Sequence, residues 1–186
     1  PMNESLKGKY ESFREELASN RNILGVTAGC QNPQAVTSTS QVSWEGMPSS
    51  DKIVMNWDFV DYGYIETFRM KVASGRSFSR EHASDLTDAC VINETAAAVM
   101  GMTEPLGKWI DTWFGRKIVI GVISDHHYES YRNEIRPFIM SLAPGWNNYV
   151  FARLDPGAAG PALDFIREAW VRFCPDRPFE YATFAS

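Results

Sequence analysis

The sequence predicts an α+β fold in two lobes: an α/β sandwich with helices on one face of a largely antiparallel sheet, and a mixed α/β lobe inserted into it. Three observations lead there. Apolar stripes of helical period stand near both ends, at Leu6, Tyr10, Phe13 and Leu17 and again at Ala162, Phe165, Ile166, Ala169, Trp170 and Phe173. Strict alternation at Ile53, Met55, Trp57 and Phe59 marks a half-buried strand. The outer segments read as helix, strand, strand, helix and then strand, helix, strand, so residues 1–75 with 146–186 make one lobe and 76–145 the inserted one.

In order, the first stripe is filled out by Lys7, Lys9, Glu11, Arg14, Glu15 and Glu16, and Asn20 and Asn22 stop the helix. Ile23 to Ala28 reads as a short strand and Gln31 to Ser40 as an exposed loop. From Lys52 the alternation places Asn56 and Asp58 opposite the apolar face. Tyr62 to Met70 reads as a short helix with Tyr64, Ile65 and Phe68 inward, and the chain then turns away through Phe78. Ala89 to Ile92 is a buried strand, and Asn93 caps a helix that Gly101 ends. Lys117 to Ile123 is apolar enough to be covered on both faces, with Gly121 allowing close backbone approach. Phe138 to Leu142 and Tyr149 to Leu154 are strands, Pro161 suits the first turn of the last helix, and Phe179 to Phe184 alternates again.

Composition narrows the function. Hydrophobic residues make up 44% and charged residues 22% of 186, ordinary for a folded domain. A net charge of -5 without a dense Lys/Arg cluster argues against a nucleic-acid partner. No stretch reaches the roughly 18 to 20 apolar residues of a membrane span. Pro1 precedes Met2, which reads as a piece of a longer protein or a cleavage scar, so missing targeting segments carry little weight. Cys30, Cys90 and Cys174 are widely spaced and without a CxxC pair; buried thiols are the default, and no disulfide pairing follows from spacing.

Chemistry is sparse. Asp125-His126-His127 is the best polar cluster, with His82 the remaining histidine. Neighbouring side chains on a strand point to opposite faces, so the two histidines do not readily share an ion, and strand-end packing is the preferred reading. No GxSxG occurs, and Glu94 is accounted for by the helix dipole. No catalytic, cofactor-binding or metal residue is assigned. Trp109, Trp113 and Phe114 fall within six positions and form either core or an exposed hairpin tip, the candidate partner surface. Such a tip is expected to face away from both chain ends.

Several segments together resemble the periplasmic core domain of MacB/FtsX-type ABC-transporter permeases, especially the Bacteroidetes-like branch. They are Tyr10 to Leu17 with Ile23 to Thr27; Trp44-Glu45-Gly46; Val60 to Phe68 with Gly75-Arg76-Ser77-Phe78; Val91 to Ala96; Pro105 to Lys108; and Ile120 to Ser130. His126 stands where the family has Phe, and Tyr131 where Leu is common. The resemblance implies a porter-like lobe with an inserted lobe, set outside the cytoplasmic (inner) membrane between transmembrane helices of the same chain. It also implies a separate ATP-binding subunit, with force transmitted to export, lipoprotein handling or signalling, and an envelope protein or lipoprotein as a further partner; the chain has no GxxxxGK[ST] loop of its own. A free-standing periplasmic ligand-binding or adhesion domain is the alternative. A small hydrolase is a third, requiring Asp125 and His127 to converge with another polar group.

Overall fold

The computed structural model describes residues 6, 8–33, 36–48, 53–125 and 135–184. His126, His127 and Tyr131 lie outside them. Helix α1 (Tyr10–Ala18) leads into β1 (Ile23–Gly29), β2 (Thr39–Trp44) and β3 (Ile53–Val60). A single turn, α2 (Tyr64–Thr67), precedes β4 (Val72–Gly75). Next come α3 (Asp85–Asp88), β5 (Ala89–Asn93), α4 (Glu94–Val99), β6 (Trp109–Thr112), β7 (Gly115–Ile123) and β8 (Phe138–Leu142). A 3-10 turn at Pro144–Trp146 joins β8 to β9 (Tyr149–Leu154), and α5 (Ala159–Phe173) follows.

The strands run β2-β6-β7-β5-β8-β3-β1-β9, and β2 also pairs with β3. That second pairing closes β2, β6, β7, β5, β8 and β3 into a ring, from which β1 and β9 extend as a flap. The fold is α+β as expected, but the sheet is mixed: β3 with β8 and β5 with β7 are parallel. Segment 76–145 supplies β5 to β8 of the ring, and the preceding segment supplies β2 and β3.

Three apolar clusters follow from this topology. Val42, Trp44, Met55, Cys90, Ile92, Ile110, Val119 and Ile139 fill the ring, with Ala96, Ala97 and Met100 of α4 and its C-cap added. The α1 stripe Leu6, Tyr10, Phe13 and Leu17 is fully buried, against Ala162 and Ala169 of α5 and the β1–β9 flap. Phe13 meets Trp170 and Phe173 edge-on at 6.2 and 5.3 Å. Outside the ring, Val60, Val91, Ile123, Met140 and Leu142 pack under Tyr64, Ile65, Phe78 and Phe151.

Several expectations are corrected. Gln31 to Ser40 is not simply an exposed loop: Gln31 is buried, its amide bonded to Trp57 O and to the Thr37 and Ser38 amides, and Thr39 opens β2. Residues 72–75 form β4, because Gly75 and Gly121 let two backbones nearly touch. Strand β7 is covered on both faces only towards its end, since Ile118 remains exposed. Phe179 to Phe184 pairs with no strand; its rings lie on Trp170 and Phe151 instead.

Asp58 departs furthest from its pattern. Alternation assigned it to a polar face, yet β3 lies between β8, β1 and β2 with both faces covered, and Asp58 is fully buried. Its Oδ1 accepts from the Gln31 amide at 3.1 Å, and Oδ2 lies near Gly29 on the side occupied by Tyr64 and Phe151. Burial raises its pKa to about 7, against the amide donors that favour the anion.

Two outcomes follow. A Cβ on Gly121 would sit 2.1 Å from the Arg76 carbonyl oxygen, and one on Gly75, at φ +72, 2.3 Å from that of Ile120. Either alanine variant should cost about 3 kcal/mol or more in urea denaturation, whereas Gly145→Ala, which meets nothing within 4 Å, should be near neutral. For Asp58, the folded state holds a proton that the unfolded chain has released, so stability falls as pH rises from about 4 to about 7 and then levels. Asp58→Asn should remove that part of the slope and raise the melting temperature by several degrees at pH 7.5 relative to pH 4.5. Parallel thermal-denaturation profiles for the two proteins would exclude the buried proton.

Candidate functional site

The β6–β7 hairpin turns through Trp113-Phe114, with Thr112 paired to Gly115 and the Thr112 hydroxyl donating to the Gly115 carbonyl at 2.8 Å. A turn this tight leaves two large rings with no room on their own hairpin. They fold onto Trp57 and Phe59, successive same-face residues of β3. Phe114 lies 4.9 Å from Phe59, and Trp113 lies 5.4 Å from both Trp57 and Phe114. Trp146 of the 3-10 turn completes the cluster, 5.7 Å from Phe59 and 6.1 Å from Trp113.

Trp113 is 55% exposed and Trp146 57%, while Phe114 and Trp109 are half-buried. Trp109 is separate from the cluster: its ring lies under the Arg116 guanidinium at 4.2 Å. The structure thus brings Trp113 and Phe114 together, leaves Trp109 aside, and adds Trp57 and Phe59 from the β3 face and Trp146 from the 3-10 turn. Their link is the β3 register and the β8–β9 turn, a contact between residues distant in sequence.

The cluster caps one end of the ring. Met55, Trp57 and Phe59 share a face, and Met55 belongs to the ring's interior cluster. Ser141 stands opposite Phe59 on the adjacent parallel strand, so its side chain points to the same face. Lys117 stands opposite Ile110 and donates from Nζ to the Thr87 carbonyl at 2.5 Å, with the Phe114 centroid 5.8 Å away. Burial holds its pKa below the usual lysine value, opposed by Asp88. The opposite end carries α4. Asn93 accepts there from the Ala96 amide at 3.0 Å and the Phe138 amide at 2.9 Å, joining helix to β8.

The other polar candidates are occupied structurally. Asp125 accepts from the Thr95 amide and hydroxyl at 3.1 and 2.7 Å, and its own amide donates to Glu94. Asp85 takes a bidentate grip from Arg76 at 2.6 and 2.7 Å. Burial lifts the Cys90 thiol to about 12. Among the described residues no three His, Cys, Asp or Glu side chains converge as metal ligands.

No protein-family model and no curated protein matches the chain. Solved structures do. The periplasmic region of MacB from Actinobacillus actinomycetemcomitans aligns with a TM-score of 0.61 at 17% identity, over 87% of this chain and 72% of that one. The extracellular domain of the noncanonic ABC-type transporter YknZ from Gram-positive bacteria aligns at 0.61 and 15% identity, over 92% and 89%. A domain of a Porphyromonas gingivalis protein described as a permease aligns at 0.58 and 19% identity, over 86% and 69%. The chain therefore has the fold of the MacB-type periplasmic domain, shared with the extracellular domain of YknZ.

Proposed function

We propose that this chain is the extracytoplasmic domain of an ABC-transporter permease. In this reading it is held by membrane helices of its own chain at the inner membrane, faces the periplasm, and takes its motion from a separate ATP-binding subunit. The output is export, lipoprotein handling or signalling across the envelope, through an envelope protein or lipoprotein partner, and the domain performs no catalysis itself.

The likeness to the extracellular domain of the YknZ transporter over 92% of the chain carries the proposal. The arrangement of the ends supports it. Leu6 packs in the cluster that takes Val26, Val150 and Ala152 from one face of the β1–β9 flap, and the Phe184 ring lies 6.1 Å from Phe151 on the other face, so both ends of the described chain lie by the flap. Ends gathered at one flap are what an insertion between membrane spans requires. Residues 76–145 are then an insertion into the lobe of 1–75 and 146–186 that shares the ring with it, a geometry suited to moving as one lever.

The test uses the full-length protein in spheroplasts. A membrane-impermeant maleimide should label Glu104→Cys, an exposed position between α4 and β6, without permeabilisation, and an ATP-binding subunit should co-purify with the protein. Labelling that requires permeabilisation would overturn the proposed location. Release of the intact protein from washed membranes would favour a free-standing periplasmic domain.

A further inference from the structure

We propose that the capped end of the ring is a binding site for a neutral saccharide, stacked on Trp113 and Trp146 and hydrogen-bonded by polar groups beneath them. The inference rests on the aromatic cap alone and is independent of the permease reading.

The cap combines two features that a simple hydrophobic core does not need. Its outer rings, Trp113 and Trp146, are more than half exposed, 6.1 Å apart and steeply inclined to each other, so both present ring surface to solvent. Beneath them, the Trp57 indole N–H and the Ser141 hydroxyl are shut off from water, as are both amide atoms of Asn147, the residue that follows Trp146 in the chain. None of these atoms has a hydrogen-bond partner among the described residues. Buried polar groups in folded proteins are ordinarily paired, so this concentration beside one aromatic patch is a demand for a partner. Mouths of β-barrels lined by aromatic rings with a few convergent polar groups are favoured ligand sites.

The unmet groups define the ligand. The indole N–H only donates, whereas the hydroxyl and the carboxamide both donate and accept. Sugar hydroxyls satisfy all of them, while the apolar C–H face of a pyranose covers an indole. An aliphatic side chain from a protein partner would cover the rings and leave every polar group unmet. The cations around the tip are already committed: Lys117 to the Thr87 carbonyl, Arg116 to Asp111 at 3.2 Å, and Lys108 to Glu45 at 2.6 Å. That disfavours an anionic ligand and selects a neutral one. The tip is a two-residue turn resting on ring contacts, so lifting Trp113-Phe114 from β3 gives a sugar access to Ser141 and the Trp57 N–H.

The experiment titrates the 186-residue chain with chitotriose and with maltotriose, read by tryptophan fluorescence and calorimetry. At least one sugar should bind saturably. Trp113→Ala and Trp146→Ala should each weaken binding by about tenfold or more with the unfolding temperature retained, since both side chains are mostly exposed. Ser141→Ala should also weaken it, an effect that stacking alone would not produce. Absence of binding by either sugar up to about 10 mM, or undiminished binding in the Trp113→Ala, Trp146→Ala double variant, would overturn the proposal. So would saturable binding of an aromatic-rich peptide in place of both sugars, which would make the cap a protein-docking surface.

Discussion

Strand β2 bonds along both edges, to β3 through Thr39–Val42 and to β6 through Ser43 and Trp44. Without the second partnership the sheet would be an open ribbon with β2 as an exposed edge. With it, the sheet becomes a ring in which β2 is no longer an open edge. Closure also brings the β6–β7 hairpin over β3, so the aromatic cap follows from it. Trp44 and Val42 are buried inside while Ser43 and Gln41 point out, the alternation that a one-sided strand imposes.

The motif residues have structural work that explains why they read as a pattern. Gly75 and Gly121 permit the β4–β7 backbones to approach more closely than any side chain allows. Arg76 then reaches the buried Asp85 carboxylate, which also takes the Ser79 amide, pinning the segment that follows. Asn93 caps α4 with one oxygen and holds β8 with the same atom, while its amide nitrogen donates to the Arg136 carbonyl. Glu94, Thr95 and Asp125 bond the first turn of α4 to the end of β7. Each of these contacts fastens a helix or a loop to the ring.

The sequence made local elements legible. The stripes of α1 and α5, the cap at Asn93 and the strand at Ile53–Val60 follow from local periodicity and capping, whereas Gly121 signalled a close approach whose partner, the Arg76 backbone, only the fold supplies. Long-range pairing was less visible. Asp58 looked solvent-facing because period-two alternation cannot tell a strand with one covered face from one enclosed on both. Strand β2 hid in a polar stretch because Thr39, Ser40, Gln41 and Ser43 have weak apolar signal, although each pairs along the backbone. Phe179 to Phe184 has the pattern of a strand, but its rings are occupied against Trp170 and Phe151 and it stays irregular. For the aromatic cap, the run Trp109 to Phe114 pointed to a surface; its floor of Trp57, Phe59 and Ser141 emerged only from register.

The flap carries a kinetic consequence. Strand β1, made of residues 23–29, obtains its neighbour β9 from residues 149–154, and the ring is likewise completed by segments far apart in the chain. Contacts of such sequence separation bring loop-closure entropy before they bring stability, which slows folding and raises the barrier. On a chain emerging from its N-terminus, α1 and β1 present the apolar surface of Phe13, Leu17 and Ile23 long before α5 and β9 exist to cover it. Synthesis must run almost to the end of this segment before its first strand gains β9, the partner that runs along its whole length.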